Sequence, residues 1–120
     1  METLMKLIVA GGRYFNDYDL LKYRLDYFLS EVEEPIEIVS GKAQGADTLG
    51  ERYAREHGYP VKEFHAQWGK YGKGAGYLRN KDMAEYATHC ICFWDGESKG
   101  TQHMINLAKE HNLPTRVISY

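Results

Sequence analysis

Four glycine-containing segments of the chain have residue types suited to binding an anion. They are 11–13 (GGR), 40–47 (SGKAQGAD), 66–76 (AQWGKYGKGAG) and 95–101 (DGESKGT). Glycine at a strand-to-helix turn lets main-chain N–H groups approach an anion closely, and the first turn of the following helix adds partial positive charge. We therefore expect a phosphate or carboxylate group to bind at these turns.

The residues expected to contact this ligand lie in or beside the same segments. Arg13 and Arg79 would neutralise phosphate. Trp68, or Tyr71 within the basic stretch 69–81, would stack a base. The predicted ligand-binding set is Gly11, Gly12, Arg13, Ser40, Gly41, Gly45, Ala46, Asp47, Trp68, Arg79, Asn80, Asp95, Gly96, Ser98, Gly100 and Thr101.

Several of these side chains also have a structural interpretation. Ser98 or Thr101 is suited to capping a helix, and so is Asp47. Arg13 would then lie over the sheet edge, and Asn80 would bond the backbone of the long segment 66–76. The basic stretch itself would then be solvated surface.

Catalysis would need a positioned acid or base. Asp47 and Asp95 stand at predicted strand ends or helix starts and are the candidate catalytic residues. His103 is interpreted as a surface histidine. No Ser-His-Asp or Cys-His set follows from the spacing, so the sequence leaves open whether the protein is an enzyme.

The sequence lacks the common cofactor and metal motifs. Gly11-Gly12-Arg13 has no third glycine for a GxGxxG fingerprint, and no GxxxxGK[ST] occurs. The histidines form no HxH or HExxH pair. Cys90 and Cys92 would point along one strand face, which favours buried reduced thiols. We expect no metal and no cofactor apart from the nucleotide-like ligand.

The elements that position these residues follow from the periodicity of apolar residues. Short β-branched or aliphatic runs predict strands at 4–10, 36–39, 60–65, 89–94 and 115–119. Apolar stripes predict helices at 21–32, stopped by Pro35, between Gly45 and Gly58, at 78–87 and at 101–111. Only 66–76 lacks periodicity, and it is predicted to be a loop.

Strands alternating with helices predict an α/β fold with right-handed crossovers. We expect a single Rossmann-like domain over residues 1–120, with a doubly wound, mostly parallel five-stranded sheet of order 3-2-1-4-5 and helices on both faces. Ligands of such sheets bind beyond the carboxyl ends of the strands where the strand order reverses, here between strands one and four.

Composition narrows the class of partner. Fifteen basic and seventeen acidic residues give a net charge of −2, which disfavours a long nucleic acid held by counterion release. No apolar run approaches the roughly 20 residues of a membrane span, and the N-terminal segment lacks a signal-peptide pattern. We expect a cytoplasmic protein without membrane contact. Ten tyrosines among 120 residues favour a homo-oligomer.

The chain resembles the YspA-like, YpsA-related branch of the SLOG superfamily. The resemblance lies in 9–13 (VAGGR), in 40–47, in Trp68 with the segment 79–83 (RNKDM) and in 93–105 (FWDGESKGTQHMI). It implies a Rossmann-like domain that binds a nucleotide or a nucleotide-derived ligand such as ADP-ribose.

Two related branches imply alternative functions. Phosphoribohydrolases of the superfamily carry a GTxxE turn with a catalytic glutamate, whereas here Met104 follows Gly100-Thr101 at that place. This departure disfavours N-glycosidic hydrolysis of that type. The DNA-processing branch binds single strands through an oligomer, which the modest charge of this chain disfavours.

Overall fold

Five β-strands, five α-helices and one 3₁₀ turn make up residues 3–120, which a computed structural model describes. Met1 and Glu2, the start of the expected domain and of the N-terminal segment, lie outside the described residues. The elements are β1 Met5–Gly11, α1 Tyr18–Leu29, β2 Ile36–Ser40, α2 Ala46–His57, β3 Val61–Glu63, α3 Trp68–Tyr71, a 3₁₀ turn Gly72–Gly74, α4 Ala75–Tyr86, β4 His89–Trp94, α5 Lys99–Glu110 and β5 Thr115–Ser119.

The strands form one parallel sheet in the order β3-β2-β1-β4-β5, which confirms the predicted doubly wound topology. The central strand β1 pairs on both sides, with Leu7 opposite Ile38 of β2 and His89 of β4. Aliphatic residues fill β1 because both of its faces are covered. One core cluster packs α1 and α2 on one face, and a second packs α4 and α5 on the other.

Local signals place the helix ends next to the loops of interest. The Asp17 side chain accepts a hydrogen bond from the Leu20 amide and caps α1. Gly58 ends α2 with φ at +73°, a conformation that glycine adopts without a steric penalty. Ser98 caps α5, which begins at Lys99, two residues earlier than predicted.

Other predicted bounds also differ from the structure. Helix α1 ends at Leu29, so Val32 lies beyond it, because the chain turns where the Ser30 hydroxyl bonds the Tyr27 carbonyl. Strand β3 is only three residues long. The predicted loop 66–76 contains α3, the 3₁₀ turn and the start of α4. Helix α3 buries none of its residues, so it has no apolar stripe to reveal it.

No helix in residues 3–120 combines the length and the apolar character that a membrane span requires.

Candidate functional site

Loops from distant parts of the chain meet at the carboxyl ends of β1 and β4, where the topology predicts a binding crevice. They enclose a cleft of about 200 Å³, called here the inner chamber. Its walls come from β1, the segments after β1, β2 and β4, and helices α2, α4 and α5. The lining residues are Ala10, Gly11, Arg13, Ala43, Gln44, Asp47, Arg79, Asn80, Met83, Ser98, Gly100, Thr101 and Met104.

A wider depression of about 430 Å³, the outer chamber, adjoins the inner one. The two share Arg13, Ala43, Gln44 and Arg79, so these residues form the boundary between them. The outer chamber is further lined by Gly41, Lys42, His65, Ala66 and Trp68. The predicted site residues Gly41 and Trp68 thus lie outside the inner chamber but next to it.

The other predicted site residues lie elsewhere. Gly12 and Asp95 line a separate depression, with Tyr14, Glu97 and Tyr120, on the far side of Arg13 and Ser98. Four predicted residues line none of these three cavities: Ser40, Gly45, Ala46 and Gly96. Ala46 is fully buried, and the Ser40 hydroxyl donates to Glu51 at 2.6 Å.

Several lining residues were not predicted: Ala10, Lys42, Ala43, Gln44, His65, Ala66, Met83 and Met104. Lys42 to Gln44 stand between predicted residues of the segment 40–47, so their position in the chain was a usable signal. Met104 lies one helical turn after Thr101 and therefore on the same face of α5. It places a thioether, which cannot act as a base, in the chamber wall.

Glycine at two of the turns is required by close packing of the chain against itself. A side-chain carbon at Gly11 would overlap the carbonyl oxygen of Phe93 and come within 2.8 Å of the Ala46 Cβ. Gly45 has φ at +82°, and a Cβ there would overlap the Gly12 carbonyl oxygen. Because these two positions have no side chain, the ends of β1, β4 and α2 can pack in direct contact.

Most of the main-chain donors expected to hold phosphate are bonded within the protein. Internal bonds use the amides of Gly12 (to the Phe93 carbonyl), Lys42 (to the Ser40 hydroxyl), Ala43 (to Asp47), Ala46 (to the Gly12 carbonyl) and Thr101 (to the Ser98 hydroxyl). The first turn of α5, where Gly100 lines the inner chamber, retains the donor character of a helix N-terminus.

The positive charge of the chambers comes from Arg13 and Arg79. Neither guanidinium forms an ion pair with a carboxylate within the described part of the chain. Arg79 donates from Nη1 to the Gly41 carbonyl at 2.9 Å and from Nε to the Asn80 Oδ1 at 3.3 Å. Burial lowers the pKa of Arg79 from its ordinary value, and the nearby Asp47 opposes this shift.

Asn80 connects the two helices that flank the inner chamber. Its Nδ2 donates to the Gly100 carbonyl at 3.3 Å and lies 3.2 Å from the His103 Nδ1. Because the Gly100 oxygen only accepts and the Arg79 Nε only donates, the orientation of the Asn80 amide is assigned by its partners. The His103 Nδ1 is then an acceptor, which fits a neutral ring whose pKa burial lowers. Asn80 therefore bonds α5 rather than the loop backbone expected from the sequence.

Asp47 is a buried carboxyl group in the wall of the inner chamber. It is 5% exposed, and its Oδ2 accepts a hydrogen bond from the Ala43 amide at 3.3 Å. Burial raises the pKa of Asp47 from 3.8 to about 7, against the opposing effects of the Ala43 amide and Arg79. It does not cap α2, whose N-cap is Gly45. A carboxyl that titrates near neutrality can both donate and accept a proton.

Asp95, the other candidate catalytic residue, stabilises a turn of the backbone. Its Oδ1 accepts hydrogen bonds from the amides of Glu97 at 2.8 Å and Ser98 at 2.9 Å, and these bonds lower the pKa of the carboxyl. The group is exposed and lies outside both chambers. This geometry matches that of a turn that leads into the cap of α5.

The cysteines lie on β4 and line neither chamber. Cys90 and Cys92 are free and buried, with their Sγ atoms 3.5 Å apart. The contact with Cys90 and burial hold the pKa of the Cys92 thiol well above its usual range, so a reactive thiolate is disfavoured. Within residues 3–120, no cluster of three or more His, Cys, Asp or Glu side chains could hold a metal ion.

Known proteins resemble this chain in sequence and in fold. The sequence model of the YspA, cpYpsA-related SLOG family matches residues 5–71. The chain belongs to this family. Gene 61 protein of Mycobacterium phage D29 is 32% identical over 117 residues, which are 92% of this chain and 94% of that protein. The family match covers β1 to α3, and so includes Arg13 and Asp47 but not Arg79.

A solved structure shares the fold of this family member. DNA processing protein A of Streptococcus pneumoniae superposes with a TM-score of 0.78 at 17% identity, over 98% of this chain and 51% of that chain. This chain therefore spans about half the length of its structural neighbour. At this identity the likeness establishes the Rossmann-like fold alone.

Proposed function

We propose that the protein binds or senses a nucleotide or nucleotide-derived ligand, of the nucleoside phosphate or ADP-ribose class, with a phosphate in the inner chamber. The observation that carries this proposal is the convergence of Arg13 and Arg79, 66 positions apart in the sequence (79 − 13), on one cleft at the carboxyl edge of the sheet. Neither is neutralised by an ion pair within residues 3–120. Membership of the SLOG family supports the same ligand class.

The chemistry of the chamber fits a phosphate monoester or diester. Two guanidinium groups and the N-terminus of α5 supply donors in one partly open cleft. Ser98 and Thr101 add hydroxyl groups at the same wall. Ala10, Met83 and Met104 form an apolar floor, which strengthens hydrogen bonds to charged groups by lowering the local dielectric constant.

Calorimetry with AMP, ADP-ribose, NAD and cyclic nucleotides tests this proposal. We expect at least one ligand to bind with a Kd below about 1 mM. Arg13→Gln and Arg79→Gln should each weaken it about 10-fold or more, as expected for a lost charge-assisted hydrogen bond. Arg24→Gln is the matched control, because Arg24 lies on α1 and lines neither chamber. Absence of binding, or equal losses in all three variants, would contradict the proposal.

Hydrolysis of the bound ligand is the second candidate function. Asp47 favours it, because its carboxyl faces the phosphate chamber and burial raises its pKa to about 7, near the optimum for a general acid or base. Related hydrolases have a catalytic glutamate where this chain has Met104. Asp47 would therefore have to act without a glutamate carboxylate at that position.

Release of base or phosphate from nucleoside monophosphates and ADP-ribose decides between sensing and hydrolysis. If the protein is a hydrolase, Asp47→Asn should abolish turnover and retain binding, whereas Asp95→Asn should leave turnover close to wild type. Binding by the wild-type protein without any turnover would reject the hydrolase.

Single-stranded nucleic acid is the competing ligand. Tyr71 and Tyr77 are exposed and lie close in the sequence to the exposed Lys70 and Lys73, and the structural neighbour is named for DNA processing. Affinity for a single-stranded oligonucleotide that falls steeply with salt, and that depends on Lys70 and Lys73, would favour this ligand over a small nucleotide. Weak binding that is insensitive to those lysines would exclude it.

A further inference from the structure

An exposed indole stands at the outer chamber, beside the arginine that borders the inner one. Trp68 lines the outer chamber and is 57% exposed, although tryptophan has a large apolar surface. A side-chain carbon at Gly76 would lie 3.4 Å from the Trp68 ring and 3.6 Å from the Arg79 Nη2. The indole and the guanidinium therefore flank the same point, and the absence of a side chain at Gly76 leaves that point open.

The charges around the outer chamber do not suit a second phosphate. Lys42 forms ion pairs with Glu51 at 2.8 Å and Glu63 at 3.4 Å, and the His65 Nε2 lies 3.3 Å from Glu63. Lys42 is thus compensated by carboxylates, so the outer chamber adds no unpaired lysine or arginine to the two arginines that it shares with the inner chamber. A neutral, planar group fits these surroundings better than an anion does.

The volumes indicate that one ligand uses both chambers. The inner chamber, about 200 Å³, is smaller than the roughly 300–1,000 Å³ of typical ligand pockets. The outer chamber adds about 430 Å³ and adjoins it, with Arg13 and Arg79 in the walls of both. A phosphate held by these arginines would leave the remainder of its ligand facing Trp68.

We infer that the outer chamber is a base subsite, in which the purine or pyrimidine of the ligand stacks on Trp68 while its phosphate occupies the inner chamber. This inference rests on the proposed function and narrows it to ligands that carry a base. It predicts that the base contributes affinity that a sugar phosphate lacks. It also assigns the stacking role to Trp68 rather than to Tyr71, which lines neither chamber.

Calorimetry with AMP, ribose 5-phosphate and inorganic phosphate separates the two subsites. We expect Trp68→Ala to weaken AMP by about 5- to 150-fold, the effect of losing one base stacked on an aromatic side chain. Ribose 5-phosphate should bind the wild type and Trp68→Ala equally. Tyr71→Ala is the matched control, since Tyr71 is an exposed aromatic residue of the same short helix, and it should bind AMP like the wild type.

Tryptophan fluorescence gives an independent readout of stacking. AMP should quench the emission of the wild type and of Trp94→Phe, and should not quench Trp68→Phe, whereas ribose 5-phosphate should quench none of them. Because α3 buries none of its residues, circular dichroism should show that the Trp68 variants fold. Equal affinities for AMP and ribose 5-phosphate, unchanged by Trp68→Ala, would overturn the base subsite. Failure of every phosphate compound to bind would instead overturn the proposed function.

Discussion

The buried carboxyl of Asp47 should make the protein less stable as the pH rises from acid to neutral. Burial raises the pKa of Asp47 from 3.8 to about 7 in the folded protein, whereas the unfolded chain retains the ordinary value. Between these two values the folded state holds a proton that the unfolded state has released. The free energy of unfolding therefore falls with pH over this range and is constant, for this group, above it.

The magnitude follows from the size of the shift. A difference of about 3 units, at 1.36 kcal/mol for each unit, gives a loss of about 4 kcal/mol between pH 4 and pH 7. This is a large part of the roughly 5–15 kcal/mol by which folded domains are stable. Asp47→Asn, which cannot ionise, removes the dependence.

Urea unfolding of the wild type and Asp47→Asn, followed by circular dichroism from pH 4 to pH 8, measures this effect. All other titrating groups are common to both proteins, so their contributions cancel in the difference between the two free energies of unfolding. We expect the stability of the variant relative to the wild type to rise by about 4 kcal/mol across this range. A constant effect of the substitution, of either sign, does not alter that change.

Asp95→Asn provides a control with the opposite sign. The amides of Glu97 and Ser98 lower the pKa of the Asp95 carboxyl in the folded protein, so its stabilisation is present above the unfolded pKa and is lost as the pH falls. The wild type should therefore keep its advantage over Asp95→Asn across most of the range from pH 4 to pH 8 and lose it below pH 4, where the same urea measurement is extended for this pair. A pH-independent difference between the wild type and Asp47→Asn would refute the reasoning, because it would mean that the carboxylate is solvated in the folded protein.

Three further predictions concern the walls of the inner chamber. Gly11→Ala should destabilise the protein by about 1–3 kcal/mol, because the new carbon would overlap the backbone carbonyl of Phe93. Gly100→Ala, in α5 with no atom within 4 Å of the new carbon, should instead stabilise it by about 0.5–1 kcal/mol. Asn80→Ala should cost about 1–3 kcal/mol, because it leaves the Arg79 Nε without this acceptor. Urea unfolding at pH 7 measures all three, and a destabilised Gly100→Ala or a neutral Gly11→Ala or Asn80→Ala would contradict the respective contact.

The sequence alone determined the sheet and the edge at which the ligand site would lie. The residues of β4 and β5 were predicted with their observed bounds, because β4 is a buried apolar run and β5, although it buries none of its residues, is rich in β-branched residues. Strands separated by helices must run parallel, and parallel strands bring their carboxyl ends to one edge. The predicted edge does hold Arg13, Asp47 and Gly100, which line one cleft. Helix α3 escaped prediction because it packs no residue into the core.

Only the tertiary structure decided what each of those residues does. The sequence pattern assigned Asp47 and Asp95 the same candidate role, but Asp47 is buried near Arg79 and Asp95 is exposed in a turn. Likewise, the glycine turns predicted free amides, yet most of those amides bond neighbouring loops. Burial, hydrogen-bond partners and pKa depend on contacts such as that of Arg79 with the Gly41 carbonyl, 38 positions away. Such contacts join residues that are far apart in the sequence, and they form only when the helices pack on the sheet. A local pattern of residues therefore cannot predict them.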